Sequence, residues 1–166
     1  MGVGTADLHE IIVTLWEASA LNAAFNSYWS ASDQNEFPVL NETEAEAAQP
    51  WPYCVFHPEE PQTPVRMSGS GNSKREIRDV PGTFKVWARY HGTSSAKSIA
   101  ADLAEEILKV FGGHPTVQSA ISDAVDLNHG QLLIVQYEKD FPVRMGNEEY
   151  CWTIKYNFRL DVPVSM

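Results

Sequence analysis

The chain has 166 residues, 43% of them hydrophobic, which is enough for one well-buried core and short for two, so a single domain over residues 1–166 is expected. Its 22 acidic residues against 12 basic ones give a formal charge of −10, and such a surface repels phosphate backbones, which argues against a nucleic-acid binder led by charge. No Lys or Arg precedes Arg66, so the whole surplus sits in Asp7, Glu10, Glu17, Asp33, Glu36, Glu42, Glu44, Glu46, Glu59 and Glu60. No stretch approaches the roughly 20 apolar residues that cross a bilayer, and the N-terminus lacks a basic region leading into an apolar run. A cytoplasm-like compartment is therefore expected, with no membrane partner. Cys54 and Cys151 are too few for a disulfide framework and lack the paired spacing of a metal site; they read as two thiols on strands.

Thr5 is a suitable cap for a first helix, with Asp7 in its first turn and Leu8, Ile11, Ile12, Leu15 and Trp16 along one stripe. Past Ala18 the stripe rotates to Leu21, Phe25 and Tyr28, which predicts a bend or a second short helix. Residues 30–50, rich in Ser, Asn, Glu and Ala, read as a flexible surface connection. After Pro50-Trp51-Pro52, the run Tyr53 to His57 has the aromatic and β-branched content of a short strand. Residues 58–74 combine prolines with the tract Ser68-Gly69-Ser70-Gly71-Asn72-Ser73 and read as a mobile loop or hairpin tip.

Arg75 to Val80 can be extended, and from Thr83 the chain alternates, with Phe84, Val86, Ala88 and Tyr90 on one side and Lys85, Trp87 and Arg89 on the other. The clearest helix follows. Thr93, Ser94 or Ser95 can cap it, Ile99, Leu103, Ile107 and Phe111 mark its apolar face, and Gly112-Gly113 with Pro115 ends it. Beyond a loop at Asn128-His129-Gly130, Leu132 to Glu138 reads as a strand. Cys151 to Val162 reads as the longest one, its register fixed by the alternation of Trp152, Ile154, Tyr156, Phe158, Leu160 and Val162 with polar residues. Met145 to Glu148 should turn between them in an antiparallel hairpin. The whole pattern predicts an α+β fold, with an antiparallel (mixed) sheet of about four to five strands. The N-terminal and central amphipathic helices should pack on one face of it.

The reactive motifs that the sequence begins are incomplete. The Ser68 to Lys74 tract fails the phosphate-loop pattern because Arg75 stands where Ser or Thr is needed, and it also fails the nucleophile elbow. His9-Glu10 begins like a zinc-protease helix, but Val13 occupies the place of the second histidine. No catalytic residue, cofactor or metal is assigned. What remains is charge: the acidic Glu42, Glu44 and Glu46 precede a basic group of Arg66, Lys74, Arg75 and Arg78. A head-to-tail ring, in which one copy's basic loop meets the next copy's acidic surface, would use both.

The N-terminal amphipathic helix, the strand entry Trp51-Pro52-Tyr53-Cys54-Val55-Phe56 and the Pro/Ser/Gly loop come first in the order of features. Arg75-Glu76-Ile77-Arg78-Asp79-Val80-Pro81 then runs into Phe84-Lys85-Val86-Trp87-Ala88, followed by the helix from Ser95 to Phe111 and the last strand ending near Asp161-Val162-Pro163. This order resembles the tail terminator, or tail completion, family of long-tailed bacteriophages, related to tail-to-head joining proteins. The chain departs from that pattern in the longer segment between its first helix and first strand.

The resemblance implies a structural virion protein of the tail and neck, assembled in the host cytoplasm. It implies a homo-oligomer, usually a hexameric ring, that caps the tail tube, stops tube polymerisation and joins the tail to the head connector. The tail tube protein and the connector or neck protein would be its partners, and DNA would pass through the lumen without specific binding. Two other readings of the residues stay open: a small-molecule-binding or enzymatic α+β domain with a pocket between sheet and helices, and a non-viral tube or ring adaptor of the same architecture.

Overall fold

In a computed structural model, the backbone is described for residues 5–43, 47–59, 66–68, 75–116, 125–127, 130–144 and 149–163, and side chains for 8–43, 47–59, 77–116 and 149–160. Helix α1 (Thr5–Ala18) buries Leu8, Ile11, Ile12 and Trp16 and leaves Glu10 and Glu17 exposed, as its stripe predicts. The chain turns at Ser19, whose hydroxyl donates to the Trp16 carbonyl at 2.6 Å and accepts from the Leu21 amide at 3.2 Å. Helix α2 (Leu21–Asn26) then presents Leu21 and Phe25 to the interior, which accounts for the rotated stripe.

The segment predicted as a surface connection contains helix α3 (Ala31–Glu36) and strand β1 (Leu40–Asn41). Ser30 caps α3 by accepting from the Asp33 amide at 3.3 Å, yet α3 buries none of its own residues. Val39 and Gln49 are nevertheless interior, and the Gln49 amide donates to the Pro38 carbonyl at 3.0 Å. Local pattern could not announce this segment, because a capped helix without an apolar face and a two-residue parallel strand both depend on a partner distant in sequence.

Strands β2 (Tyr53–Pro58), β3 (Arg66–Ser68) and β4 (Arg75–Arg89) come next, then helix α4 (Ala96–Phe111), and β5 (Val125–Leu127), β6 (Gly130–Arg144) and β7 (Glu149–Pro163) complete the order. The sheet runs β1-β2-β4-β7-β6-β5, with β3 beside the start of β4. β1 pairs with β2 in parallel and every other pair is antiparallel, so the sheet is mixed as expected. Four strands, β2, β4, β6 and β7, carry it, and the three others are two or three residues long.

β4 passes unbroken through Pro81 and Gly82. Pro81 lacks an amide, but β2 reaches only as far as Gly82, and the Pro81 carbonyl accepts from the Glu59 amide at 2.8 Å. Gly82 is required by close approach, since a Cβ there would lie 2.7 Å from Phe56 Cζ and 2.9 Å from Phe158 Cε2. β6 is longer than its sequence pattern because register shifts at Leu132/Ile134 and Tyr137/Lys139 break the alternation. The predicted turn at 145–148 lies outside the described residues, but the antiparallel pairing of β6 with β7 is as expected.

α1, α2 and α4 cover one sheet face. α4 packs on β4 and β7 with Ile99, Leu103, Ile107 and Phe111 all nearly inaccessible, and α1 packs on β2. Phe84 is the hub of the core, its ring 4.7 Å from Phe56, 4.9 Å from Phe111, 5.9 Å from Tyr156 and 6.0 Å from Trp16. Val80, Val86, Ala88, Ile154, Phe158 and Leu160 complete the inner rows, as the alternation predicts. Tyr90 does not join them. β4 ends at Arg89, and Tyr90 is 59% exposed.

Candidate functional site

The sequence-predicted interaction residues that are described, Glu42, Arg66, Arg75 and Arg78, fall in two separate places on the sheet. Glu42 follows β1 and its carboxylate lies 3.0 Å from His9 Nε2 of α1; Glu44 and Glu46 lie outside the described residues. Antiparallel pairing sets Arg66 of β3 opposite Ile77, and Ser68 opposite Arg75, so Arg66, Arg75 and Arg78 share the β3–β4 arm; Lys74 lies outside the described residues. β1 meets β2 at Cys54 and Val55, whose partners on β4 are Val86 and Lys85. Lys85 lies ten residue steps from Arg75 along β4, which at a rise of about 3.3 Å per residue is roughly 30 Å. Glu42, next to β1, therefore cannot reach Arg75 within one chain. They can meet between copies.

Glu10, Glu17, Glu36 and Glu42 are exposed, and the first 65 residues contain no Lys or Arg to offset them. Below them, a cavity of about 160 Å³ opens between α1 and the approach to β1, lined by Val13, Trp16, Glu17, Asn22, Pro38, Val39 and Leu40. Trp16 closes its inner wall by donating Nε1 to Asn22 Oδ1 at 2.8 Å. Its polar edge is a single carboxylate, Glu17, which makes no ion pair or hydrogen bond with any described residue.

Cys54 and Cys151 are both buried thiols, on strands as expected. Cys54 lies in register with Val86 and Cys151 with Trp87, so they occupy opposite faces of the sheet. Burial, with a smaller contribution from Cys151, pushes the Cys54 thiol well above its ordinary range, which disfavours a nucleophilic thiolate. His114 secures the end of α4, with Nε2 2.8 Å from Glu105 and Nδ1 accepting from the Thr116 amide at 3.2 Å. Its bond to Glu105 holds that carboxyl below the usual range. His91 contacts the Tyr28 ring edge-on. Among the described residues no three His, Cys, Asp or Glu side chains converge as metal ligands.

Sequence reasoning missed an aromatic cluster on the other sheet face. Trp51, Tyr53 and Trp87 lie within 6.5 Å of one another by ring centroid, the Arg89 guanidinium sits 3.9 Å over Trp51, and Arg89 pairs with Glu149 at 3.1 Å. Alternation marked Trp87 and Arg89 as outward-facing. Only the β2–β4 register, in which Tyr53 opposes Trp87, assembles them. Further along this face, Arg159 clasps Asp79 through two bonds of 2.8 and 3.1 Å.

No helix among the described residues is long and apolar enough to cross a membrane. Comparison with protein-family models and with curated proteins finds no match. Comparison with solved structures does. A chain from a structure described as "Virion of native gene transfer agent (GTA) particle" superposes with a TM-score of 0.55 at 14% sequence identity, covering 96% of this chain and 99% of that one. The likeness spans both chains almost end to end, so this protein has the fold of a chain found in a gene transfer agent virion.

Proposed function

We propose that this chain is a structural virion protein that forms a ring on the last layer of the tail tube, terminates tube polymerisation and joins the tail to the head connector. The ring is a homohexamer, and DNA passes through its lumen without being held. The observation that carries this reading is the end-to-end fold likeness to a virion chain, which agrees with the feature order that resembles the tail terminator family. The separation of Glu42 and Glu17 on one surface from Arg66 and Arg75 on another supports it too, because a closed head-to-tail ring needs two different complementary surfaces on each copy. The role rests on shape and assembly, and no enzymatic activity is proposed.

The test is made in the particle that encodes the chain. Without it, tails should grow beyond their normal length and fail to attach to filled heads, as scored by negative-stain microscopy. Tails of normal length joined to heads would overturn the reading.

A further inference from the structure

We infer that the cavity beneath α1 is the receiving half of the contact between copies, and that it takes an arginine from the β3–β4 arm of a neighbouring copy. The inference rests on the ring reading and names the surface that such a ring would use. The cavity, lined by Val13, Trp16, Asn22, Val39 and Leu40 with Glu17 at its edge, has apolar walls and one carboxylate. That combination suits a side chain with an apolar stem and a cationic head, whose stem packs on Trp16 and Val13 while the head reaches Glu17. At about 160 Å³ it has room for one such side chain and is well below the roughly 300 Å³ at which small-molecule pockets begin.

The one charged group that lines it selects the same occupant, because Glu17 is a carboxylate. Every lining residue belongs to the first 65 positions, where carboxylates stand without a single Lys or Arg. Glu17, exposed and without an ion pair to any described residue, is placed to receive a cation. Within the same chain, the β3–β4 arm lies roughly 30 Å along the sheet from the β1 end beside which the cavity opens, at the ~3.3 Å rise of a strand. Its own Arg66 and Arg75 therefore cannot fill the cavity. Those of a second copy can, and because donor and acceptor are different surfaces, the contact is head-to-tail and propagates around a ring.

The test uses the full chain and two reciprocal variants, Glu17→Lys at the acceptor and Arg66→Glu/Arg75→Glu at the donor. Each is expected to raise the concentration needed for ring formation at least tenfold, read by light scattering and negative-stain microscopy. Mixed in equal amounts they should recover rings, because alternating copies restore one native contact and one charge-swapped contact. Val13→Phe, which fills the cavity without altering charge, should also block assembly while leaving the melting temperature near that of the parent. Rings formed by Glu17→Lys and Val13→Phe at the parent concentration would overturn the inference and leave the ring reading standing. A parent chain that forms no ring at any concentration would remove both.

Discussion

Gly82 shows how a single hydrogen atom sets the packing of this core. Phe56 and Phe158 close over it from the two neighbouring strands, and a methyl group there would overlap both rings. Gly82→Ala should therefore destabilise the fold by about 1–3 kcal/mol, the usual range for overpacking, measured by urea denaturation. An unchanged midpoint would mean the rings move aside at no cost. Asp79 carries a second prediction. Its bonds from Arg159 hold its carboxyl below the usual range, so the folded state binds a proton less readily than the unfolded chain does. The stabilisation is present above the unfolded carboxylate pKa and is lost as pH falls through the depressed folded one. Asp79→Asn should be less stable than the parent at pH 7, with the gap narrowing in acid. A gap independent of pH would detach the pair from stability. Neither feature was legible in the sequence, where Gly82 is one glycine among ten and Asp79 lies far along the chain from Arg159.

At the scale of elements, legibility follows periodicity. α4 was readable because its apolar stripe, its Ser95 cap and its Gly112 stop agree: Ser95 accepts from the Ser98 amide at 3.1 Å, and the Gly112 amide, at φ 121°, reaches the Leu108 carbonyl at 2.8 Å. Ser95→Ala should lower stability by about 1 kcal/mol, read from chemical denaturation, and no loss would show that the cap is replaceable. β7 was readable for the same reason. β6 was cut short because two register shifts hide its period, and β1 and α3 were missed because neither has a pattern of its own. Within the tract from Pro61 to Asn72, the described part is β3, a ladder of three pairs on the start of β4. Deleting it removes that ladder and Arg66 but leaves β2, β4, β7 and the helices paired as they are. The expected outcome is a cooperatively melting protein by circular dichroism that no longer assembles. Normal particles from that deletion would contradict the role given to the β3–β4 arm.

For the whole molecule, the informative quantity is where charge lies on the fold. Composition revealed that all ten surplus carboxylates precede Arg66, but not that the β1 end, which Glu42 follows, would lie some 30 Å from Arg75 of the β3–β4 arm, a separation set by the ~3.3 Å rise along β4. That placement depends on strand pairings with no local signature. If the acidic segment faces the lumen, it keeps DNA sliding by repulsion, and reversing Glu42, Glu44 and Glu46 to Lys should slow DNA passage or assembly and lower the titre of infectious particles. An unaffected titre would take the segment out of the lumen. The central claim, that the chain acts as one copy in a closed annulus, is tested most directly by light scattering of the purified protein, combined with negative-stain images of the same sample. The account predicts a sixfold ring at six times the monomer mass of 18.5 kDa; a protein that stays monomeric and instead binds a small metabolite in its cavity would contradict it.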